Sequence, residues 1–524
     1  MEFHLPFPTT VAVIIVSITL LASLLQIVNR KSGNNRNPPQ AKGAWPIIGH
    51  LHLLRRSHLP HKVLGAMADT HGPIFTIKLG VRRALVVSDA DFARVCFTTN
   101  DLDFANRPTT VVTELLGYNS AKFSFAPYGD YWRKLRKIIT LELLSQRRVE
   151  MLGHIRVSEL RSAMNDIYEA WVMTNSDLVK VEMKQWFGNL ILNIVVRSIS
   201  GKRFSPKDDE GVRFQAVARR YFKLLGAFMV SDFIPFLKGL DLGGYEKAMK
   251  VTAAEMDDFF EEWLKEQKRE KESGGLKHEG NQVFMDVLIS ILEDASEEDF
   301  PDFDHDTIIK ASCLALLTAG SETTTVTLIW ALSLLLNNPK SLKIAQDELD
   351  EHVGRERLVV ESDINNLSYL QAIIKETMRL YPPGPLSVPH QSRNDCIVAG
   401  YNIPKGTRLF VNLWKLHRDP NVWSDPDQFQ PERFLTSKKD IDVKGNHFEL
   451  LPFGSGRRMC PGVSFALQSL HFTMATLLQQ FVLKKPSDEP IDMSESFGMT
   501  NMKATPLEVL LTPRLSSRMY HVDA

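Results

Sequence analysis

The sequence contains little cysteine. Only four of its 524 residues are cysteine, namely Cys96, Cys313, Cys396 and Cys460, and they are widely separated along the chain. There is no Cys-x-x-Cys pair and no dense group of cysteines, which excludes a disulfide-stapled scaffold and argues against a structural zinc site. This cysteine usage fits a reducing compartment.

The sequence also lacks an excess of charge of either sign. It has 62 Lys and Arg against 62 Asp and Glu, which gives a formal net charge of 0. Nucleic acid and other polyanionic partners are therefore not expected. Internal repeats and long low-complexity segments are absent as well. The length allows one large globular body or two ordinary domains, and no linker divides the chain beyond its N-terminal part.

One long hydrophobic run stands near the N-terminus. Residues 9–28 carry no charge, and a membrane-spanning helix needs roughly 20 such residues. The residues before the run contain no Lys or Arg, which disfavours the alternative of a cleaved signal peptide. Arg30 and Lys31 follow it, and basic residues mark the cytoplasmic side of an anchor. We expect a single-pass anchor at 1–30 with a lumenal N-terminus, a basic and proline-rich hinge at 31–50, and a cytosolic domain at 51–524.

Most of the chain after the anchor has helical periodicity, and strand-like segments are few. In residues 73–89 apolar and polar side chains alternate, and many are β-branched. Gly80 lies at the centre of the segment, so this pattern predicts a β-hairpin. Residues 271–282 are polar and contain glycine, which favours a surface loop. The fold class predicted is mainly α with small β-sheets. The clearest predicted helices are 131–144, 158–174, 249–272, 284–294 and 341–352, and further strands are predicted within 396–412 and 507–514.

The segment FGSGRRMCPG surrounds Cys460. Gly454 and Gly456 permit backbone conformations that other residues avoid. Pro461 is suited to the first position of a helix, and a helix N-terminus favours a thiolate over a thiol. Such a thiolate could act as a nucleophile or as a metal ligand, whereas an inert buried thiol is the commoner state of a cysteine.

The spacing of Phe453, Gly456, Arg458, Cys460 and Gly462 resembles the haem-binding loop of the cytochrome P450 family. The resemblance implies haem b (iron protoporphyrin IX) as the cofactor and Cys460 as the axial ligand of its iron. It also implies that Phe453 packs against the ligand loop and that Arg458 pairs with a haem propionate. A thiolate ligand donates electron density to iron and favours cleavage of the O–O bond.

A second motif lies in the middle of an apolar helix of about 33 residues. Gly320 weakens a helix and Glu322 is costly to bury, so both need a reason. A solvated kink is one explanation. The family's Ala-Gly-x-Glu-Thr segment is another, and it implies that Ala319 and Gly320 leave room for dioxygen while Glu322 and Thr323 deliver protons.

A third motif pairs Glu376 and Arg379, one helical turn apart, with Arg433 in PERF. Most Glu-x-x-Arg pairs are exposed and contribute only tenths of a kcal/mol. The resemblance instead implies a buried ion triad that supports the cysteine side of the haem. Leaving one of its charges unpaired would cost several kcal/mol.

A fourth motif places Trp132 and Arg136 one helical turn apart. An ordinary amphipathic helix would explain this pair, whereas the family's Trp-x-x-x-Arg helix sets both side chains beside a propionate. The helix is also basic, so an acidic electron donor could dock there. His390 stands where relatives carry arginine beside a propionate, which puts that contact in doubt and makes it sensitive to pH.

The motifs occur in family order along nearly the whole chain, and finer features are most similar to the plant microsomal enzymes of family 82. The resemblance implies a monooxygenase of the endoplasmic reticulum membrane that takes electrons from NADPH through cytochrome P450 reductase, with cytochrome b5 as an accessory partner. The chain has no Gly-rich dinucleotide loop, which fits an external electron supply. The alternatives are a haem-thiolate isomerase or dehydratase, a C–C cleaving enzyme, and a single-pass adaptor without a cofactor.

The segments that the resemblance places against the substrate are mostly apolar or aromatic, which predicts a hydrophobic small molecule. Alkaloids, phenolics such as coumarins and flavonoids, and terpenoids all remain open. No acidic residue stands out to favour a cationic alkaloid. The segments are 111–123, 222–225, 316–319, 386–388 and 497–499.

Overall fold

The computed structural model describes residues 36–54, 58–174, 177–205, 208–274 and 282–520. The anchor predicted at residues 1–30 lies outside these ranges. Within them, one helix is long and apolar enough to cross a membrane, residues 305–337, and it is largely buried inside the protein.

Helices dominate the described part of the chain, as the periodicity predicts. Their apolar faces form one large core, as expected of helices packed on helices. The α-helices are α1 (Pro60–His71), α2 (Ala90–Phe97), α3 (Val111–Leu115), α4 (Asp130–Ile138), α5 (Gln146–Met151), α6 (Gly153–Met173), α7 (Met183–Ser200), α8 (Asp209–Leu225), α9 (Tyr245–Glu272), α10 (Phe284–Glu293), α11 (His305–Asn337), α12 (Pro339–His352), α13 (Ser368–Leu380), α14 (Leu413–Leu416) and α15 (Val463–Gln480).

The strands form small sheets beside the helices. The largest sheet has the order β1-β2-β7-β4, with β1 antiparallel to β2 and β2 parallel to β7. A second sheet has the order β3-β9-β8, and β5 pairs with β6. The strands are β1 (Ile74–Leu79), β2 (Arg82–Val87), β3 (Val179–Glu182), β4 (His390–Gln391), β5 (Cys396–Val398), β6 (Tyr401–Ile403), β7 (Arg408–Val411), β8 (Phe481–Lys484) and β9 (Glu508–Pro513).

The predicted hairpin at 73–89 is confirmed as β1 and β2. Gly80 makes the turn with φ of +58°, and the carbonyl of Phe233 approaches its α-carbon too closely for a side chain. Residues 36–50, part of the predicted hinge, lie along β1. The N–H of Thr76 donates to Pro39 O at 2.8 Å and the N–H of His50 donates to Lys78 O at 2.7 Å. The edge of the sheet thus finds hydrogen-bond partners in this extended segment.

Helix α11 is the centre of the fold. It packs against α7, α9, α10, α13 and α15, and most of its residues are buried, as expected for a helix that is apolar on all sides. Its N-cap Asp304 accepts a hydrogen bond from the N–H of Thr307 at 2.8 Å. The burial is interrupted in its middle, where Ala319 is exposed and Gly320 is half-buried.

Two predicted boundaries are wrong. The helix predicted at 131–144 ends as α4 at Ile138, and the chain continues as one π-helical turn, Ile139–Leu143. The helix expected from Pro461 begins at Val463, with Gly462 as its N-cap. The other predicted helices are present, with ends displaced by a few residues.

Candidate active site

The loop that carries Cys460 is shaped by backbone conformations that only glycine adopts easily. Gly454 and Gly456 have φ of +71° and +69°, and a β-carbon on Gly456 would meet Asp101 Oδ1 at 2.5 Å. The N–H of Cys460 donates to Phe453 O at 2.9 Å, and the N–H of Gly462 donates to Cys460 Sγ at 3.4 Å. Phe453 is half-buried beside this turn. The loop therefore holds a half-buried sulfur with one N–H directed at it.

The ionisation of Cys460 differs from the sequence-based expectation. Because α15 begins at Val463, the cysteine lies before the helix rather than at its first turn. Burial raises the pKa of the Cys460 thiol, and the Gly462 N–H and the Arg136 charge only partly oppose this effect. A bound metal cation deprotonates a coordinating thiol outright. The site thus suits a cysteine that becomes a thiolate when metal binds, and it does not suit a free nucleophile.

The ion triad predicted behind this loop is confirmed. Arg379 Nε donates to Glu376 Oε2 at 2.7 Å, and Arg433 Nε donates to Glu376 Oε1 at 3.1 Å. All three side chains are buried. Arg379 Nη1 also donates to the carbonyl of His417 at 2.9 Å, and His417 Nε2 accepts from the N–H of Leu451, two residues before Phe453, at 2.9 Å. The triad therefore supports the cysteine loop.

Three guanidinium groups meet beside the cysteine loop, and we call Arg107, Arg136 and Arg458 the cationic cluster. Arg458 Nε donates to Ala105 O at 2.7 Å and Nη2 to Ala126 O at 2.7 Å, whereas its buried Nη1 has no hydrogen-bond partner among the described residues. Burial, followed by the charges of Arg107 and Arg136, lowers the pKa of Arg458 to about 8.

Trp132 and Arg136 lie on α4, as the sequence predicts, and both reach this cluster. The guanidinium carbon of Arg458 stands 4.2 Å from the centre of the Trp132 ring, a cation–π contact. Arg136 Nη2 donates to Met459 O at 2.6 Å, on the residue before Cys460. The helix therefore ties the cationic cluster directly to the cysteine loop.

Arg107 is a member of the cluster that the motifs did not reveal. Its Nη1 donates to the carbonyls of Val388 and Pro389, each at 2.8 Å. Its buried Nε has no partner in the described part of the chain. Burial and the charge of Arg136 lower the pKa of Arg107 to about 9. The only sequence signal is an isolated arginine before a proline in DFANRPT.

His390 also lies in this region, at the edge of β4. Its Nδ1 stands 2.8 Å from the carbonyl of Phe104, so that nitrogen must carry the proton. Burial and the charge of Arg107 hold the pKa of His390 well below its usual range. A neutral ring protonated at Nδ1 leaves Nε2 as an acceptor. His390 therefore cannot replace an arginine as a donor to a carboxylate unless it takes up a second proton.

The cationic cluster fits the haem that the resemblance implies. Within the described residues, no ion pair joins any of the three guanidiniums to a carboxylate, although buried charges are normally paired. A dianionic group with two carboxylates would supply the missing partners, and guanidinium binds carboxylate in a bidentate manner. The propionates of haem are such a pair. The nearby sulfur of Cys460 supplies an iron ligand of the right type.

At Ala319 and Gly320 the burial of α11 is interrupted, which leaves space on this face of the helix. Thr323 Oγ1 donates to Ala319 O at 2.6 Å, within the exposed turn. A β-carbon on Gly320 would stand in ordinary van der Waals contact with Val195 Cγ2, 3.4 Å away on α7. Ala319 is exposed and Gly320 is half-buried at this turn.

Glu322 projects towards a different space from Thr323. Successive residues of an α-helix point about 100° apart, and Glu322 lines a cavity of about 730 Å³. Burial raises the pKa of Glu322, while Thr500 and Lys184 partly offset the effect. Glu322 and Thr323 therefore lie on one turn of α11, but Glu322 faces the cavity and Thr323 lies beside Ala319.

The structure brings three of the predicted substrate segments to α11, and a fourth, 386–388, contacts the cationic cluster. Phe222, Phe497 and Met499 line the cavity of Glu322, and Lys122 of segment 111–123 donates to Thr318 on α11 at 2.6 Å. Val388 of segment 386–388 contacts Arg107. Lys122 carries no motif in the sequence, and its burial against α11 is visible only in the structure.

Comparison with known proteins agrees with this geometry. The family model described as Cytochrome P450 matches residues 38–511. Cytochrome P450 82A4 of Glycine max is 50% identical over 99% of each chain. Strychnine-10-hydroxylase of Strychnos nux-vomica is 51% identical, over 99% of this chain and 100% of that protein. Flavonoid-6-hydroxylase of Mentha piperita is 51% identical, over 98% of this chain and 99% of that protein.

Solved structures show the same fold. A zebrafish cytochrome P450 in complex with progesterone superimposes with a TM-score of 0.73 at 27% identity. The match covers 87% of this chain and 100% of the zebrafish chain. Matches to the family model and to relatives over nearly the full length agree with the cysteine loop and the cationic cluster. The chain therefore belongs to the cytochrome P450 family, most closely resembles its family 82, and is a haem-dependent monooxygenase.

Proposed function

We propose that this enzyme hydroxylates a hydrophobic small-molecule metabolite of plant secondary metabolism. Relatives about 50% identical are named as hydroxylases of strychnine and of flavonoids, and the core residues packed around α11 are largely apolar. The observation that carries the proposal is the half-buried Cys460 beside three guanidiniums that have no carboxylate partner in the described ranges. When bound, haem supplies the activation of dioxygen and the transfer of one oxygen atom.

The residues of the chain that hold the cofactor have distinct tasks in this proposal. Cys460 would provide the iron ligand. The Gly462 N–H, 3.4 Å from its sulfur, would reduce the electron density that the sulfur donates. Arg136 and Arg458 neutralise the propionates, as does Arg107. The Trp132 ring keeps Arg458 in place through the 4.2 Å contact. The Phe453 carbonyl fixes the Cys460 N–H at 2.9 Å, which sets the direction of the sulfur.

In this proposal Glu322 takes up protons from its own cavity, and Thr323 holds a proton donor at the open face of α11. Burial favours the protonated form of Glu322, and its cavity admits water that can reload it. Thr323 Oγ1 donates to Ala319 O in the resting arrangement. Release of this bond would turn the hydroxyl towards the open face beside Ala319, where it can hold a proton donor in place. Gly320, half-buried at this turn, adds no side chain beside Ala319.

Electrons are proposed to come from NADPH through cytochrome P450 reductase, with cytochrome b5 as an accessory donor. The exposed side of α4 is the proposed docking surface. Arg133 and Lys134 already pair with Asp130 and Asp299, so Lys137 is the member of this basic group most open to an acidic partner. Reversing its charge with Lys137→Glu should slow reduction by the reductase and leave the reduced, CO-bound spectrum unchanged.

The proposed location is the endoplasmic reticulum membrane. Residues 1–30 would form the single-pass anchor with a lumenal N-terminus, residues 31–50 the hinge, and residues 51–524 the cytosolic catalytic domain. The apolar run at 9–28 followed by Arg30 and Lys31 supports this orientation. Protease should digest the domain in sealed microsomes. A glycan on Asn366 would contradict the orientation, because glycans are added in the lumen.

The decisive experiment expresses the full chain with its reductase in microsomes. Carbon monoxide should give the reduced protein the absorption band of thiolate-bound haem, and Cys460→Ser should abolish the band. Products from a panel of plant metabolites should require NADPH, reductase and dioxygen. Turnover without NADPH would favour the isomerase or dehydratase alternative, and fragmented products would favour C–C cleavage. Thr323→Ala should retain the band and divert electrons from product to peroxide.

A further inference from the structure

The cavity that Glu322 lines, which we call the Glu322 cavity, is bounded by four parts of the chain. Its walls are one face of α7, one face of α8 and the segment 496–502, and its floor is the middle of α11. Its volume of about 730 Å³ lies within the range of small-molecule sites, roughly 300–1,000 Å³. Ala319 and Thr323 are not among the described residues that line it. The cavity therefore lies apart from the open face of α11.

Three cations line the Glu322 cavity. Lys184 lies in the first turn of α7, and Arg219 and Lys223 lie one turn apart on α8. All three side chains are exposed. Arg220, the neighbour of Arg219, pairs with Glu255 on α9, whereas the three cations of the cavity form no ion pair within the described ranges. Their charges are therefore available to a molecule that enters the cavity.

Two acidic residues line the same cavity, but they do not neutralise it. Glu182 caps α7, and its carboxylate accepts from the backbone N–H groups of Lys184 at 3.1 Å, Gln185 at 2.8 Å and Leu507 at 3.2 Å. Burial raises the pKa of Glu322, and a protonated carboxyl is a hydrogen-bond donor rather than a repelling charge. Three cations face two acids in any case, so the lining has an excess of positive charge.

The apolar part of the lining lies beside these cations. Phe222 stands on the same face of α8 as Arg219 and Lys223, as residues three and four apart on a helix do. Phe497 and Met499 line the cavity from the loop that follows Glu495. Aromatic rings and methionine side chains pack well against a flat aromatic molecule. The lining thus combines an aromatic surface with several cations.

Gly188 opens the wall that α7 forms. It lies in the interior of this helix, where glycine is unfavourable compared with alanine. A β-carbon at Gly188 would meet no atom within 4 Å outside its own helix and its chain neighbours. Close packing against another element therefore does not explain the glycine. Because Gly188 lines the cavity, its missing side chain leaves additional space there.

We propose that the Glu322 cavity is a second ligand site, separate from the open face of α11, and that it binds an aromatic carboxylate. Arg219 and Lys223 would hold the carboxylate, because a guanidinium can bind it in a bidentate manner. Phe222 would stack on the ring, and Gly188 would leave room for it. A protonated amine would be repelled by the same cations. This site goes beyond the proposed function and does not depend on it.

The test measures binding to the purified, haem-loaded, full-length protein in detergent by equilibrium dialysis. Three probes share one ring system: 2-naphthoate, neutral 2-naphthylmethanol and protonated 2-naphthylmethylamine. Each is measured with and without 4-phenylimidazole, which ligates haem iron and occupies the open face of α11. Displacement by 4-phenylimidazole thus separates binding at that face from binding in the Glu322 cavity.

The variants change the charge or the space of the cavity. The charge variant combines Arg219→Gln with Lys223→Gln. Its matched control combines Lys340→Gln with Lys439→Gln, since both lysines are exposed and neither lines the cavity. The size variants are Gly188→Ala, which adds one carbon in open space, and Gly188→Trp, which fills part of the cavity. The CO band of each variant reports whether it has folded and loaded haem.

The wild type should bind naphthoate at least about fivefold more tightly than the alcohol, as expected for charge-assisted bonds at exposed cations, and the amine most weakly. The charge variant should lose this preference and change alcohol binding less than about twofold, whereas its control should keep the preference. Gly188→Ala should bind naphthoate like the wild type, and Gly188→Trp at least about fivefold more weakly. Addition of 4-phenylimidazole should leave naphthoate binding unchanged.

Four results would overturn the inference. They are equal binding of acid and alcohol by the wild type, an unchanged preference in the charge variant, unchanged naphthoate binding in folded Gly188→Trp, and displacement of naphthoate by 4-phenylimidazole. The failure of the proposed function would look different, because a protein without the CO band of thiolate-bound haem would refute that assignment while dialysis still reported the acid preference. A normal CO band without the preference would refute the second site alone.

Discussion

The imidazole Nε2 of His417 accepts a hydrogen bond from the backbone N–H of Leu451 at 2.9 Å. The carbonyl of His417 accepts from Arg379 at 2.9 Å. One buried residue thus joins the ion triad to the segment that leads into the cysteine loop. Burial and the charge of Arg379 lower the pKa of His417 to about 3, which keeps Nε2 free to accept at any physiological pH.

Replacing His417 with phenylalanine should loosen the cysteine loop. The Leu451 N–H would lose its partner while buried, and an unsatisfied buried donor costs about 1–3 kcal/mol. We expect full-length protein that still folds but shows less of the thiolate-type CO band per mole of haem, with faster loss of the band on warming. His352→Phe is the control, because His352 is exposed at the end of α12. An unchanged band and unchanged decay in His417→Phe would show that the triad does not act through this contact.

Removing Arg107 should weaken retention of the cofactor. If the cationic cluster neutralises two propionates, loss of one guanidinium leaves a propionate underneutralised, and an interaction between close charges of this kind is worth a few kcal/mol. Arg107→Ala should release haem at least about tenfold faster to an apo-haemoprotein acceptor. Arg83→Ala on the exposed end of β2 should release it at the wild-type rate. Equal rates for Arg107→Ala and the wild type would remove Arg107 from the cofactor site.

The parts of this enzyme that could be read from the sequence are those in which spacing along the chain fixes geometry. The i, i+3 pair Glu376 and Arg379 must share a helix face, and the glycines before Cys460 require one kind of turn. The hairpin around Gly80 follows from alternation and a turn residue. In each case, the contacts lie within one element or between elements named by the same motif.

The remainder depends on tertiary contacts that no local pattern encodes. Arg107 reaches the cluster because residues 388 and 389 bind its side chain from a distant part of the chain. Lys122 differs in no local way from an exposed lysine until α11 is placed against it. Glu322 and Thr323 are adjacent in sequence, yet helix geometry sends them to separate spaces. The helix after Cys460 begins late because Gly462, rather than Cys460, forms its N-cap.

The acid stability of the protein should depend on His471. Burial and the charge of Lys375 lower the pKa of His471 to about 4, whereas the unfolded chain binds the proton near pH 6.5. The unfolded state therefore binds more protons between these values, so the free energy of unfolding falls as pH falls from about 6.5 to 4. Urea unfolding at pH 7.5, 6.0 and 5.0 gives the slope of the free energy of unfolding against pH. His471→Gln should lower that slope by an amount that corresponds to at most one proton taken up on unfolding. His352→Gln should not, and a slope equal to that of the wild type in His471→Gln would contradict the expectation.

Burial of Lys122 should lower the free energy of unfolding. Replacing Lys122 with an uncharged residue should therefore raise it. Burial lowers the pKa of Lys122 to about 7 in the folded protein, against an ordinary value of 10.5. The unfolded chain thus binds the extra proton above pH 7, and wild-type stability rises as pH increases from 7 towards 10.5. Lys122→Met has no such penalty. It should be more stable than the wild type at pH 7.5 even though it loses the bond to Thr318.

The pH dependence distinguishes this charge effect from a simple gain in packing. The advantage of Lys122→Met should narrow by about 2 kcal/mol between pH 7.5 and 9.0, because one proton corresponds to about 1.4 kcal/mol per pH unit. A packing gain would be constant over this range. Lys340→Met, at an exposed lysine near the start of α12, should show neither effect. If Lys122→Met were less stable than the wild type at every pH, Lys122 would be a structural residue stabilised by its own surroundings. If the advantage is present and narrows as expected, the burial of Lys122 lowers the free energy of unfolding through its charge, and its single hydrogen bond to Thr318 does not offset that cost.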